Sequence, residues 1–260
     1  MIPTDRSSGP QALTIDVWYT LVYVTGSERR RLDAERRRLW SAPLRAAGLS
    51  GTRTRRLLAD RERWTRTEEA RGRTPSVAAQ LDWLSRASRL RLRAEALPER
   101  LDRVLVRASI RLAPGAPEAI ELLAREGIAL GIVSNVLNES GEAARTVLDR
   151  LGLLSRFRVV VLSCEQPWAK PSPEPFRLAC RFLGVRPGDA LHVGDLGYDL
   201  RGARAAGMRA WWYAGLRRFN RYLPGQVRRS DLASGSTLRS WDELSSRLAA
   251  PAQGFPARPT

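Results

Sequence analysis

The chain of 260 residues is long enough to bury the core of one domain with an insertion, or of two small domains. Hydrophobic residues make up 43% of it, which excludes a disordered chain, and no apolar run approaches the ~18 residues that a membrane-spanning helix needs. Residues 1–11 lack the apolar stretch of a signal peptide, so we expect a cytoplasmic protein without a membrane partner. The cysteines Cys164 and Cys180 are too sparse to predict a disulfide framework or a metal cluster.

The sequence is strongly basic, with 44 lysine and arginine residues against 27 acidic residues and a net charge of +17. Such an excess can indicate nucleic acid or another polyanion as a partner. Lys170 is the only lysine, however, which indicates a GC-rich genome that replaces lysine codons by arginine codons. The arginines are also spread over most of the chain, so we do not expect nucleic-acid binding, although codon drift leaves the net excess unexplained.

The first part of the chain changes from a buried strand to a helical segment. Residues 12–15 are continuously apolar, which is typical of a strand covered on both faces of a parallel sheet. Apolar residues then recur at helical spacing in four amphipathic segments, at residues 27–47, 52–70, 77–84 and 97–110. We therefore predict an inserted α-helical cap domain at residues 25–111.

From Pro117 onwards, helical and strand-like segments alternate. Helices are predicted at residues 117–126, 139–151, 173–183, 200–206 and 240–248, and strands at 128–133, 158–162, 190–193 and 209–213. This alternation predicts an α/β fold, a doubly wound parallel sheet with right-handed crossovers, built from residues 11–24 and 112–248. Residues 1–10 and 249–260 are predicted to be disordered tails.

Polar side chains follow three of the predicted strands at the point where each strand ends. They are Asp16, Ser134 and Asp195. Ligands of open parallel sheets bind outside the carboxyl ends of the strands, where a carboxylate can act as a nucleophile or as a ligand for Mg²⁺. A single aspartate there could instead cap a helix, but three similar strand ends favour a functional site.

Lys170 is informative because the chain uses arginine for positive charge everywhere else. A lysine ammonium is a compact point charge, whereas an arginine guanidinium is planar and presents its N–H donors as a fork. Ser172 can cap the following helix and Pro173 suits its first position, so Lys170 would be held rigidly just before a helix. Chance survival of one lysine codon is the alternative, which this proline-rich setting disfavours.

Four segments together resemble the motifs of the haloacid dehalogenase superfamily, in the branch whose helical cap is inserted after the first strand. The segments are Asp16–Thr20, Val133–Asn135, Ala169–Pro173 and His192–Asp199, and residues 202–208 continue the last of them as the family usually does. The resemblance covers about residues 12–246. It implies a Rossmann-like α/β core and a hydrolase that forms an aspartyl-phosphate.

The resemblance also implies roles for particular residues. It assigns catalysis to Asp16, Ser134 and Lys170, substrate binding to Thr20 and Asn135, and Mg²⁺ binding to Asp16, the Trp18 backbone carbonyl, Asp195 and Asp199. In these roles Asp16 attacks phosphorus, Lys170 neutralises charge, and Asp199 supports the metal or orients Lys170. The implied partner is a small phosphorylated substrate.

Trp18 and Tyr19 depart from the family pattern. Phosphatases of this superfamily usually have a second aspartate at the position of Trp18, which protonates the leaving oxygen, and a glycine at that of Tyr19. An indole N–H cannot act as a general acid, and losing one commonly costs ~10²–10⁴-fold in rate. Our leading hypothesis is nevertheless a Mg²⁺-dependent phosphatase of a small metabolite. A weakly active or non-catalytic phosphometabolite- or protein-binding relative and a 2-haloacid dehalogenase are the alternatives.

Three further residues are interpreted as structural. His192, the only histidine, lies on a buried strand and is expected to pack within the core. Cys164 and Cys180 are expected to be small core residues, because nothing nearby in the sequence would lower a thiol pKa.

Overall fold

The computed structural model describes residues 9–220 and 225–249, except for the side chains of residues 245 and 249. Its strands are β1 (Ala12–Ile15), β2 (Val22–Tyr23), β3 (Arg111–Leu112), β4 (Ala129–Ser134), β5 (Val159–Leu162), β6 (Ala190–Gly194), β7 (Arg209–Tyr213) and β8 (Thr237–Leu238). Its α-helices are α1 (Gly26–Ala46), α2 (Gly51–Ala70), α3 (Val77–Ser88), α4 (Leu97–Val106), α5 (Ala116–Arg125), α6 (Gly141–Arg150), α7 (Glu174–Leu183), α8 (Gly197–Ala205) and α9 (Trp241–Ala249).

The main sheet has six parallel strands in the order β5-β4-β1-β6-β7-β8. The first strand of the chain therefore lies at the centre, where the strand order reverses, and Ile15 is paired with both Ile132 and Val193. This register brings the carboxyl ends of β1, β4 and β6 together at one edge of the sheet. The predicted doubly wound α/β fold is confirmed, and the site residues lie at its switch point.

Strand β1 is buried on both faces, as its continuous apolar sequence predicts. Leu13 and Ile15 belong to a core that includes α5, α6 and α9, whereas Ala12 packs on the opposite face against α7 and α8. The two faces thus separate alternate residues of the strand. Covered on both sides and paired on both edges, β1 is a rigid support for Asp16.

Helices α1–α4 lie between β2 and β3, which pair antiparallel with Val22 opposite Leu112. The side chains of Thr25, Ser50 and Ser76 cap the first three of these helices by accepting hydrogen bonds from backbone N–H groups. These helices fall within the range predicted for the inserted cap. The domain boundaries at 25–111, 11–24 and 112–248 stay predictions.

Three features differ from the sequence-based expectations. The two-residue strands β2, β3 and β8 were not predicted, because so short a segment carries no readable periodicity. The helix predicted at 97–110 ends at Val106, and α8 begins at Gly197 instead of residue 200. The earlier start has a physical reason, since the Asp199 carboxylate accepts a hydrogen bond from the Leu196 N–H.

The predicted disordered tails, 1–10 and 249–260, lie almost wholly outside the described residues. Within the described part of the chain, no helix is both long enough and apolar enough to cross a bilayer. Cys164 and Cys180 are free thiols, and burial raises the pKa of each to about 11. Such thiols are poor nucleophiles at neutral pH, in agreement with their interpretation as small packing residues.

Candidate active site

The ammonium group of Lys170 is the centre of a buried polar network at the switch point of the sheet. Its Nζ donates to Asp16 Oδ1 at 2.6 Å, to Asp199 Oδ1 at 2.5 Å and to the Val133 carbonyl at 3.1 Å. Lys170 is only 4% exposed. All three N–H bonds of the ammonium thus have acceptors, and they connect the ends of β1 and β4 with the first turn of α8.

Asn135 holds the backbone that carries Lys170. Its Oδ1 accepts from the Lys170 N–H at 2.9 Å, and its Nδ2 donates to the Lys170 carbonyl at 3.0 Å. On the other side, the Ala169 N–H donates to the Gly72 carbonyl at 2.7 Å, which ties this loop to the end of α2. The side chain of Asn135 therefore positions the lysine, and its role in substrate binding stays a prediction.

His192 supports Asp199 from within the sheet. Its Nδ1 lies 2.9 Å from Thr14 Oγ1 and its Nε2 lies 3.2 Å from Asp199 Oδ1, while Phe176 packs edge-on against the ring. Burial lowers the pKa of His192, so the imidazole is neutral at physiological pH. The histidine is structural, as expected, but it has a specific task that its sequence context did not reveal.

Burial and mutual repulsion perturb the acidic groups of the site. Burial raises the pKa of Asp16, and Lys170 only partly offsets this effect. The pKa of Asp195 is raised well above its usual value by burial and by the neighbouring Asp16 and Asp199. Burial also opposes ionisation of Asp199, but Lys170 and His192 hold its pKa below the usual range. Three carboxylates against one ammonium leave an excess of negative charge that a cation would neutralise.

The donor atoms fit a hard divalent cation. Carboxylate oxygens of Asp16, Asp195 and Asp199 lie within 4.8 Å of one another. Oxygen ligands of this kind are those that Mg²⁺ prefers. Both oxygens of Asp199 already accept hydrogen bonds, from Lys170 and from the Leu196 N–H. These contacts favour Asp16 and Asp195 as direct ligands and an orienting role for Asp199, whose direct ligation stays a prediction.

Ser134 and Thr20 are placed differently from the charged residues. The buried Ser134 hydroxyl lies near enough to Asp16 to favour its ionised form, yet it makes no well-oriented hydrogen bond with a described residue. It is therefore available to an incoming phosphoryl group. Thr20 is fully buried, its carbonyl accepts from Trp241 Nε1, and it is not among the residues that line the cavity. The structure does not bring Thr20 to the substrate space.

A cavity of about 240 Å³ lies above Asp16, between the sheet edge and the helices α1, α2 and α4. Its apolar wall includes Trp18, Val24, Leu32, Leu105 and Ile110. Its charged lining includes Lys170, Arg29, Asp33, Arg36, Glu69 and Glu139. Both the α/β core and the helical segment therefore form the space in which a substrate would bind.

Two residues of this region were missed by the sequence-based reasoning. Arg29 of α1 lines the cavity and donates to the Tyr19 hydroxyl. Asn220 donates to the Asp195 carboxylate from a stretch in which no clear element was predicted. Arg29 is one of many arginines on the helices, so nothing in the local sequence distinguishes it, and only the fold brings Asn220 to the site.

Comparisons with known proteins agree with this geometry. A model of the haloacid dehalogenase-like hydrolase family matches residues 16–207. The chain is 38% identical over 156 residues to a phosphoserine phosphatase of Thermus thermophilus, covering 55% of this chain and 61% of that protein. It is 34% identical over 111 residues to an N-acetylmuramic acid 6-phosphate phosphatase of Pseudomonas aeruginosa, covering 42% and 48%. The chain thus spans about half to three fifths of the length of these curated relatives.

Solved structures share the fold over nearly the whole chain. A 2-haloacid dehalogenase of Pseudomonas syringae superposes with a TM-score of 0.63 at 22% identity, covering 92% of this chain and 97% of that one. At that identity the likeness concerns the fold alone. The family match covers most of the chain and begins at Asp16, whose carboxylate accepts a hydrogen bond from the Lys170 ammonium. The chain therefore belongs to the haloacid dehalogenase-like hydrolase family.

Proposed function

We propose that this protein is a Mg²⁺-dependent phosphohydrolase of small phosphorylated metabolites, with Asp16 as the nucleophile. The observation that carries the proposal is the buried Lys170 ammonium, which contacts both Asp16 and Asp199 beside the Asp195 carboxylate. Phosphoryl transfer depends mainly on positioning and on charge stabilisation, and this arrangement supplies both. The two curated relatives described above, both phosphatases by name, support the same class of reaction.

The reaction would proceed in two displacements at phosphorus. An Asp16 carboxylate oxygen forms a bond to phosphorus while the bond to the leaving oxygen breaks, and the electron pair stays on that oxygen. Water then attacks the aspartyl-phosphate, which restores the carboxylate and releases orthophosphate and a proton. Lys170 stabilises the negative charge near Asp16, and the Ser134 hydroxyl can donate to a phosphoryl oxygen. Mg²⁺, held by Asp16 and Asp195, would supply further positive charge to the phosphoryl oxygens when bound.

Trp18 restricts the leaving group in this scheme. The half-buried indole lines the cavity two residues after Asp16, where by resemblance an aspartate would protonate the departing oxygen. Without that acid, substrates whose leaving oxygen is stable as an anion, such as acyl and aryl phosphates, would react faster than alkyl phosphates. We propose that the indole acts as an apolar wall for such a leaving group.

We further propose that residues 25–111 act as a cap over the site. Helices α1, α2 and α4 contribute Leu32, Asp33, Glu69 and Leu105 to the cavity lining. Arg36 of α1 forms an ion pair with Glu139, which follows β4, at 2.5 Å. The helical segment would therefore set which leaving group is accepted.

The proposal is tested by orthophosphate release from acetyl phosphate and p-nitrophenyl phosphate, with Mg²⁺ and after its removal by a chelator. We expect release that requires Mg²⁺ and that is lost in Asp16→Asn. Phosphate release that survives either change would contradict the proposed role of Asp16 or of the metal.

A second candidate, a 2-haloacid dehalogenase, is favoured only by Trp18, since a halide leaves without a proton. It predicts halide release from 2-chloropropionate without any metal. The cluster of Asp16, Asp195 and Asp199 favours the metal-dependent phosphatase instead. Detection of halide would replace the leading proposal by the dehalogenase. If vanadate binds in a Mg²⁺-dependent manner but no phosphate ester is turned over, the protein is a non-catalytic binding protein instead.

A further inference from the structure

Among the residues that the structure describes, three basic side chains line the cavity, and they differ in their ion pairs. Lys170 contacts two aspartates, and Arg36 is paired with Glu139 at 2.5 Å. Arg29 forms no ion pair within the described part of the chain, although Asp33 lies one helical turn further along α1. Its buried Nε also has no hydrogen-bond partner among those residues. Arg29 therefore brings to the cavity a guanidinium without an ion pair and an Nε–H without an acceptor.

Tyr19 holds this guanidinium in place. Its hydroxyl accepts a hydrogen bond from Arg29 Nη2, and the Arg29 Cζ lies 4.9 Å from the centre of its ring. The backbone of Tyr19 is left-handed, with φ at 59°. This conformation costs a residue with a side chain about 1–2 kcal/mol relative to the usual region, and such strain often accompanies functional sites. The strained loop that follows Asp16 is thus attached to Arg29 through one aromatic side chain.

The lining of the cavity that Asp16 and Arg29 share is largely apolar. Trp18, Leu32, Leu105 and Ile110 form its walls, and the whole cavity measures about 240 Å³. A small substrate whose leaving group has an apolar body would contact these walls while its phosphate lies at Asp16. Arg29 lines the same cavity and would be available to a second polar group of such a molecule. An anionic group there would satisfy the open Nε and neutralise the guanidinium.

We propose that Arg29 is a specificity-determining residue that binds a second anionic group on the leaving group of the substrate, and that Tyr19 positions it. The substrate class is then a small phosphate ester or acyl phosphate with an apolar body and a carboxylate or second phosphate at its far end. A guanidinium fork matches the two oxygens of either group. This inference rests on the proposed function, because it assumes that the transferred phosphate lies at Asp16.

The test compares 4-carboxyphenyl phosphate with its uncharged carboxamide analogue, using the full chain with Mg²⁺. We expect the wild type to prefer the carboxylate in kcat/KM. Arg29→Gln should lower this preference roughly 10- to 100-fold, chiefly through KM, because a hydrogen bond to a charged group is lost. The readout is the ratio of kcat/KM for the two substrates, which a general loss of activity does not change.

Several variants make the test specific. Arg30→Gln removes the same charge from the neighbouring exposed position and should keep the preference. Arg29→Lys retains a point charge without the fork and should give an intermediate ratio, whereas Tyr19→Phe should reduce the ratio by releasing the guanidinium. A 1,4-phenylene bisphosphate preferred over the carboxylate would identify the second anion as a phosphate. Equal ratios in wild type and Arg29→Gln would overturn the inference.

Equilibrium binding separates this inference from the proposed function. In Asp16→Asn, calorimetry with the same two compounds measures the preference without turnover. Failure of the wild type to hydrolyse either compound would contradict the proposed function, yet a carboxylate preference in Kd that Arg29→Gln abolishes would still support the anion contact. Absence of binding, or binding that ignores the carboxylate, would overturn it.

Discussion

Among single residues, Lys170 connects the acidic groups of the site, because its Nζ contacts both Asp16 and Asp199. Its importance could be predicted from the sequence, since it is the only lysine in a chain rich in arginine. The task of Asn135 could not, because its two hydrogen bonds to the Lys170 backbone join segments 35 residues apart. The contact of Arg29 with the cavity could not be predicted either, because Arg29 is one of several neighbouring arginines.

Replacing Lys170 by methionine should destabilise the fold. Asp16 and Asp199 would remain buried without their counter-charge, and breaking a buried ion pair from one side costs about 3–5 kcal/mol. Urea denaturation at neutral pH measures the change in free energy of unfolding. Arg125→Met is the control, because its pair with Glu121 is largely exposed and should cost less than about 1 kcal/mol. Similar losses in both variants would mean that Lys170 is not the charge on which the site depends.

Replacing Trp18 by aspartate should increase turnover of alkyl phosphates. A carboxyl group two residues after the nucleophile could protonate the leaving oxygen, an effect commonly worth ~10²–10⁴-fold. The gain should be much smaller for acetyl phosphate, whose leaving group needs little protonation. Initial rates on a matched pair of an alkyl and an acyl phosphate measure the difference. An unchanged ratio would show that the absence of an acid at this position does not limit the reaction.

At the scale of secondary-structure elements, the segments with strong periodicity could be predicted from the sequence. Strand β1 was predicted with its observed bounds, and α1 and α2 within one residue at each end. What the sequence did not show is how the helices contact the core. Gly72, after α2, accepts from the Ala169 N–H beside Lys170, and the positive φ of 76° at Gly72 makes this close approach possible.

Gly72→Ala should therefore be more harmful than a glycine substitution elsewhere. A Cβ there would lie 3.0 Å from Ser172 Cβ and 3.2 Å from the Ala169 carbonyl oxygen. Gly48 also has a positive φ, of 83°, but nothing lies within 4 Å of the position that a Cβ would take there. Gly48→Ala therefore isolates the backbone strain of about 1–2 kcal/mol.

We expect Gly72→Ala to lose a further ~1–3 kcal/mol through overpacking and to lower kcat by displacing the loop of Lys170. Urea denaturation and phosphate-release assays on both variants measure these effects. Equal stability and equal activity would show that the contact between α2 and the lysine loop has no energetic consequence.

At the scale of the whole molecule, the positive charge is unevenly distributed. Residues 25–111 contain 23 arginines and 11 acidic residues, and so carry +12 of the net charge of +17. This segment also contributes Arg29 and Arg36 to the cavity that contains Asp16. A positive field around the entrance would raise the local concentration of anionic substrates. Codon drift towards arginine would account for the missing lysines, whereas attraction of an anionic substrate would give the net excess a function.

Salt should consequently reduce the efficiency of the enzyme on anionic substrates. Raising NaCl from ~0.01 to ~1 M shortens the screening length from about 30 to about 3 Å. We expect kcat/KM for acetyl phosphate to fall by about 10-fold or more at constant free Mg²⁺, mainly through KM. A kcat/KM that is independent of salt would exclude long-range attraction by the helical segment.

The central claim, that Asp16 is the nucleophile of a phosphohydrolase, is tested most directly by trapping the covalent intermediate. The protein is mixed with acetyl phosphate and Mg²⁺, quenched in acid within one turnover, digested and analysed by mass spectrometry. We predict one phosphoryl group on the peptide that contains Asp16, and none on the corresponding peptide of Asp16→Asn. Phosphate release by the wild type without any label on this peptide, or a label on another residue, would contradict the account.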